Sequence, residues 1–277
     1  MLTKPGAPTA EPSSIETSPE PPAGLAGTVS VGRLEHAFGE LRTIDRLDLQ
    51  VAAHEVLGVV GPSGCGKSTL LELIAGLRTQ SAGHIEVAGG QAPSERLARC
   101  AYMPQRDLLL PWLSAIDNAA LALLNRGMRR AQARRGAAAL FERFGLAGFE
   151  LSRPRELSGG MRQRVAFLRT LIAGKPVLLL DEPFASLDAI TRGEMQEWLA
   201  GALGADPRTV VLVTHDVEEA LYLCDRVAVL SPRPAHLVTE LDTPGTRVTD
   251  RAAAVTAPEF TALKARAMRA LKEGRSG

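Results

Sequence analysis

The chain has 277 residues, a formal net charge of +1 and 4% aromatic residues. Near-neutral charge leaves no electrostatic footprint for nucleic acid, and the three scattered cysteines, Cys65, Cys100 and Cys224, fit a reducing compartment rather than a disulfide framework or zinc site. No apolar run approaches the roughly 20 residues of a membrane-spanning helix and no signal-peptide pattern opens the sequence, so work at a membrane implies a partner.

Residues 1–27 are rich in Pro, Ser, Ala, Gly and Glu. With so few large apolar side chains the segment cannot offset its ordering entropy, and a disordered tail is expected. From Val29 to about Val87 the pattern is strand-like, with clear strands over Leu47–Val51 and Val56–Val60. The second runs into Gly61-Pro62-Ser63-Gly64-Cys65-Gly66-Lys67-Ser68-Thr69, followed by the helix-like Thr69–Ile74. This is the G-x-x-x-x-G-K-S phosphate loop in its strand–loop–helix context. Glycines let backbone N–H groups turn inward around a polyphosphate, and the helix dipole favours the anion. Lys67 supplies charge for the terminal phosphates, and the Ser68 hydroxyl is a candidate Mg²⁺ ligand. Cys65, near a helix N-terminus, is expected to have a lowered thiol pKa, so that its alkylation blocks nucleotide binding.

Between Gln105 and Ser158 the texture turns to Ala, Leu and Arg at helical spacing. Ala133, Ala137, Leu140, Phe141 and Phe144 share one amphipathic face. The basic run Arg126, Arg129, Arg130, Arg134 and Arg135 is read as a solvated helix face. Strand signals return at Pro176–Leu180, Thr209–Thr214 and Arg226–Leu230, with the continuous apolar character of parallel strands buried on both faces. Gly61, Asp181 and His215 each follow such a strand, where ligand crevices form in parallel sheets. Asp181 there offers a hard oxygen to Mg²⁺. Beyond Ser231 a small terminal helix is expected over Ala262–Leu271. No internal repeat is evident.

The ordered set of motifs is specific. The phosphate loop is followed by Gln105 in Met103-Pro104-Gln105, by Leu157-Ser158-Gly159-Gly160-Met161-Arg162-Gln163-Arg164, by Val177–Asp181 with Glu182, by Asp188 in Ser186-Leu187-Asp188, and by His215 in Thr214-His215-Asp216. Together they resemble the ATP-binding cassette family over roughly Val29 to Ser231. The resemblance implies an α/β phosphate-loop NTPase core with a mostly parallel sheet, an antiparallel β subdomain and an inserted α-helical subdomain. The expected boundaries are 28–231 for the ATPase domain, about 106–157 for its helical insertion, and 232–277 for a short C-terminal extension.

The same resemblance implies ATP and Mg²⁺ as cofactors and assigns roles. Glu182 is the catalytic base, His215 positions γ-phosphate and water, and Gln105 senses Mg²⁺ and the γ-phosphate. Phe38 falls where an aromatic stacks on adenine. Ser158, Gly159 and Gly160, with Gln163 in the same nucleotide-binding set, would serve ATP held by a second subunit, and Asp188 would link the two sites. A homodimer or paired cassette is implied, acting on a separate integral-membrane permease at the cytoplasmic face of the membrane. A substrate-binding protein would contribute indirectly, and no nucleic acid is involved.

Leu108-Leu109-Leu110-Pro111-Trp112-Leu113 would meet the permease. Phe184 after Pro183, together with Leu109–Trp112, Thr191-Arg192, Met195-Gln196 and Ser231–Pro234, resembles the nitrate/sulfonate/taurine importers. Met103–Asp107 and Phe144–Phe149 incline towards their hydroxymethylpyrimidine branch. Ala53-His54-Glu55 replaces the family's Pro-Gly-Glu turn, and Arg155 stands where His is common. An exporter subunit and a mechanical cassette ATPase acting on nucleoprotein are the alternatives.

Overall fold

The computed structural model describes residues 27–185, 187–205, 207–243 and 250–274. Of the tail expected over residues 1–27, all but Gly27 lies outside them.

The chain opens with β1 (Val29–Phe38) and β2 (Leu41–Val51), an antiparallel pair. It continues through β3 (Val56–Val60) into α1 (Lys67–Ile74), then β4 (Ala82–Val87), α2 (Pro93–Arg99) and β5 (Cys100–Met103). A helical stretch follows: α3 (Ala115–Ala119), α4 (Leu121–Asn125), α5 (Arg130–Arg143) and α6 (Gly159–Ile172). Next come β6 (Val177–Asp181), α7 (Ala189–Ala205), β7 (Thr209–Thr214), α8 (Val217–Leu223), β8 (Arg226–Leu230) and β9 (Leu237–Asp242). Helices α9 (Arg251–Thr256) and α10 (Pro258–Glu273) close the described chain. None of these helices is long and apolar enough to cross a membrane.

Two sheets result: an antiparallel one ordered β2-β1-β4 and a larger one ordered β5-β6-β7-β3-β8-β9. In the larger sheet β5, β6, β7, β3 and β8 run parallel, and only β9 is antiparallel. The α/β architecture is therefore the expected one. Side-chain alternation sorts the buried strands onto two cores. Leu57, Val59, Leu179 and Val213 pack towards α1 and the antiparallel sheet, whereas Val60, Leu178, Leu180 and Leu212 pack towards the helical side with Phe141, Phe167 and Leu221.

Several local expectations need revising. β5 and β9 were not foreseen, and the segment from residue 232 contributes β9 to the main sheet and α10 to a layer over α8, β8 and β9. The basic run is not simply a solvated face. Arg130 and Arg134 both grip Asp117, which is 2% exposed on α3, and Arg126 donates to the Ala173 carbonyl. Those two guanidiniums hold the Asp117 carboxyl well below the usual carboxylate range. His54, in the family's glycine position, keeps the left-handed backbone at φ +64°. Its N–H donates to Thr209 Oγ1 at 2.8 Å, one bond that helps hold the turn in place of the glycine.

Candidate active site

Four neighbouring parallel strands, β5, β6, β7 and β3, end along one edge of the sheet. Because they point the same way, the residues just past them meet: Gln105 after β5, Glu182 after β6, His215 after β7 and the phosphate loop after β3. Gln105, Glu182 and the phosphate loop line a cavity of about 420 Å³ whose walls include Phe38, Ser63, Lys67 and Ser68.

The loop's geometry follows from its glycines. Gly64 and Gly66 have φ of +75° and +122°, and a Cβ on Gly66 would lie 3.2 Å from the Thr43 carbonyl oxygen. Gly66 caps α1 with no side-chain hydrogen bond, so the helix's first N–H groups are left for whatever fills the cavity. Lys67 is 5% exposed, and its Nζ donates to the carbonyls of Gly61 and Pro62 at 2.9 and 3.1 Å. Gly61 and Cys65 are buried at the base, whereas Ser63, Gly64 and Ser68 are exposed; Pro62 and Thr69 are half-buried.

Cys65 does not behave as its place in the loop suggests. It is 1% exposed, and burial pushes its thiol pKa up, against the lesser pull of the Lys67 charge. Desolvation of a thiolate outweighs the helix end here. The expected lowered pKa is corrected to a raised one, and Cys65 is a packing residue.

Asp181 is 3% exposed at the end of β6. Its Oδ1 accepts from Ser68 Oγ at 3.0 Å and its Oδ2 from Tyr102 OH at 3.0 Å. Burial raises its pKa; those two hydrogen bonds oppose the rise. Glu182 follows with φ +44°, a strained conformation for a non-glycine residue. Its N–H is fixed by the Val213 carbonyl at 2.8 Å. That geometry turns the carboxylate into the cavity, where Oε2 meets Gln105 Nε2 at 3.1 Å and His215 Nδ1 at 3.1 Å. One carboxylate oxygen is thus the node of the three expected catalytic side chains.

Phe38 is 42% exposed. The Arg78 guanidinium sits 5.0 Å from its ring centroid and the His36 ring meets it edge-on at 4.8 Å, bracing it beside the cavity mouth. Two residues escaped the sequence reading: Tyr102, through Asp181, and Arg233, whose Nε donates to the Gly64 carbonyl at 3.1 Å. Tyr102 had a weak signal, three positions before Gln105. Arg233 had none, being brought back by the turn between β8 and β9.

The remaining expected residues lie elsewhere. Ser158 is the N-cap of α6, its Oγ accepting from Met161 N–H at 3.2 Å, and Ser158 and Gly159 are exposed. Gly160 is buried, where a Cβ would lie 3.0 Å from the Thr191 methyl. Gln163 is 4% exposed and donates to the Pro183 carbonyl, so it braces the turn behind Glu182 rather than facing outward. Asp188 is exposed, and its Oδ1 accepts from Ile190 and Thr191 N–H at 3.1 Å. Hydrogen bonds from Thr191 hold its carboxyl below the usual range.

Fold and site define the class, a phosphate-loop nucleoside triphosphatase of the α/β type. Residues 44–185 match the family model described as ABC transporter. A formylaminopyrimidine import ATP-binding protein, ThiZ, of Halalkalibacterium halodurans is 45% identical over 73% of this chain and 78% of its own. Aliphatic sulfonates import ATP-binding proteins, SsuB 2 of Burkholderia lata and SsuB 1 of Rhodococcus jostii, are 39% and 46% identical; they cover 92% and 76% of this chain and 92% and 82% of theirs. Among solved structures, the cassette MJ0796, dimeric and bound to ADP and Pi after hydrolysis, matches with TM-score 0.68 and 26% identity over 77% of this chain and 98% of its own. The chain belongs to the ABC transporter family, as an ATP-hydrolysing subunit of its importer group.

Proposed function

We propose that two copies of this chain clamp two ATP molecules and drive a separate integral-membrane permease from the cytoplasmic face. The imported solute is a small sulfonate-type anion or a pyrimidine, delivered by a binding protein that the cassette does not touch. The reading rests on one observation: Gln105 and Glu182 line the phosphate-loop cavity with His215 bonded to Glu182, while Ser158, Gly159 and Asp188 are exposed and are not among its walls.

A cassette built this way holds ATP with one surface and lacks signature contacts on the other side of the phosphates. A second copy, facing head-to-tail, supplies them, and the isologous pair closes with both sites filled. The Ser68 hydroxyl, the Asp181 carboxylate 3.0 Å from it, and the Gln105 amide oxygen form an all-oxygen donor set suited to Mg²⁺. When bound, that ion neutralises charge on the β- and γ-phosphates. Glu182 orients and deprotonates the attacking water, His215 holds the Glu182 carboxylate in place, and Lys67 stabilises charge developing on the γ-phosphate. ATP binding closes the pair and hydrolysis reopens it.

Trp112 and Leu108, 67% and 52% exposed in the segment that follows Gln105, supply an apolar surface for the permease. The test is a pull-down of tagged Glu182→Gln protein from gently solubilised membranes with ATP. A multi-span permease among the captured proteins supports the reading, with cargo then identified from an adjacently encoded binding protein. Capture of soluble or nucleic-acid-associated partners alone would move the chain to the mechanical ATPases.

A further inference from the structure

Immediately after Gln105 the backbone makes a tight, strained turn. Leu108 has φ +44°, unfavourable for a γ-branched side chain, and Asp107 Oδ1 accepts from Leu109 N–H at 3.2 Å. What holds the turn lies on the helix that begins at the signature. Arg162 and Arg169 sit on α6 about two helical turns apart and therefore on one face. Arg162 Nε pairs with Asp107 Oδ2 at 3.1 Å. Arg169 donates to both flanking carbonyls, of Asp107 at 2.6 Å and of Leu108 at 2.8 Å.

Arg162 also reaches the other way. Its NH1 donates to the Leu157 carbonyl at 2.9 Å, the residue just before the Ser158 cap. The contacts form one short path: Glu182 to Gln105 at 3.1 Å, two residues along the chain to Asp107, across to Arg162, and on to Leu157 and the α6 N-terminus. The nucleotide-facing glutamine and the outward-facing signature are thus tied within a single chain by one carboxylate–guanidinium pair. About a third of each side chain's surface is exposed, 32% and 37%. The pair is therefore accessible enough to rearrange and adds little to global stability.

We infer that Asp107 is a positioning residue. Through Arg162 it fixes the angle at which the α6 N-terminus presents Ser158 and Gly159, so that engagement of Gln105 with nucleotide aligns the signature for the opposite copy. The inference rests on the two-copy reading proposed above. It assigns the alignment to this pair and not to the backbone alone, which the Arg169 bonds hold irrespective of the Asp107 side chain.

The experiment uses the full chain with Glu182→Gln as parent and measures two quantities. One is nucleotide affinity of the separate copies, from a fluorescent ATP analogue at low protein concentration; the other is the ATP concentration giving half-maximal dimer by light scattering. Asp107→Ala and Arg162→Ala should each leave the affinity of the single copy within about twofold and raise the ATP needed for dimerisation about fivefold or more. Asp107→Glu, which keeps a carboxylate for Arg162 and leaves the Arg162–Leu157 bond in place, should recover much of the loss seen in Asp107→Ala. Unchanged ATP demand in Asp107→Ala overturns the inference while leaving the two-copy reading intact. A fall in single-copy affinity matching the dimer loss, or an Asp107→Glu protein as impaired as Asp107→Ala, also overturns it, because the pair would then act only by shaping the loop. A parent that stays monomeric with ATP bound removes the two-copy reading and this inference with it.

Discussion

The nucleotide cavity and the signature face are built from similar parts, a glycine-rich turn opening a helix, yet they are finished differently. At the cavity, α1 starts without a side-chain cap, Lys67 is 5% exposed, Gln105, Glu182 and His215 are joined by hydrogen bonds from the ends of three different strands, and Asp181 accepts from Ser68 of the phosphate loop. At the signature, Ser158 already caps its own helix, Asp188 caps the start of α7, and both are exposed. The first region is preorganised to bind phosphate by itself. The second is locally satisfied and exposed, and in the two-copy reading proposed above its nucleotide chemistry depends on a second molecule. Local structure is thus complete in one chain, and on that reading the composite site needs two.

Variants separate the two regions, beginning with the largest effects. Glu182→Gln should lower ATP turnover about 10²- to 10⁴-fold while sparing ATP affinity, since the amide keeps the shape but cannot accept the water's proton. Turnover within a few-fold of the parent would remove Glu182 as the base. Lys67→Ala should cost about 10²- to 10³-fold in turnover, through lost charge stabilisation, and should weaken ATP binding as well. That combined loss marks the cavity, whereas Ser158→Ala should spare single-copy affinity, impair the paired state, and lower stability by only about 1 kcal/mol for the lost cap. Calorimetry and nucleotide titration on one preparation read all of these quantities.

Smaller effects probe the second layer. Tyr102→Phe removes one of the two hydrogen bonds to Asp181, worth about 1 kcal/mol. Turnover should fall about fivefold with little change in unfolding temperature, and a null result would make Tyr102 a packing residue only. Behind His215, Glu219 is 3% exposed, and its carboxyl is pushed up to about 8 by burial and by the Asp216 charge. Its pKa in the unfolded chain is near 4.5, so the folded state holds the extra proton. That stabilisation is complete below pH 4.5 and is lost as pH rises through about 8. Glu219→Gln, neutral throughout, should flatten the decline in unfolding temperature between pH 5 and 8 and exceed the parent at pH 8. Parallel curves for the two proteins would mean that Glu219 is already ionised at neutral pH.

The same contrast explains what the sequence could reveal. The phosphate loop was legible because its function is written into one continuous stretch, and the buried strands because apolar runs from Val56, Val177 and Thr209 have few other uses. β5 was missed because Cys100–Met103 is only four residues long and lacks β-branched side chains; β9 was missed because, as an edge strand, it mixes polar with apolar positions. Arg233 joins the site from a distant segment, which no local pattern records, and Tyr102 had only its nearness to Gln105. Cys65 was misread for a physical reason: the motif discloses the helix end but not the burial, and burial dominates the thiol. Gln163 has a nucleotide role by resemblance, and its buried amide donates to the Pro183 carbonyl, a contact that the motif does not disclose.

The central claim is that one chain carries a complete phosphate grip and only half of a catalytic site. Its most direct test is the solution mass of the full-length Glu182→Gln protein with saturating ATP, measured beside Glu182→Gln/Ser158→Arg. The account predicts a two-chain mass for the first and a one-chain mass for the second, with both binding ATP equally well. A one-chain mass for Glu182→Gln with ATP fully bound, or a two-chain mass that survives Ser158→Arg, would contradict it.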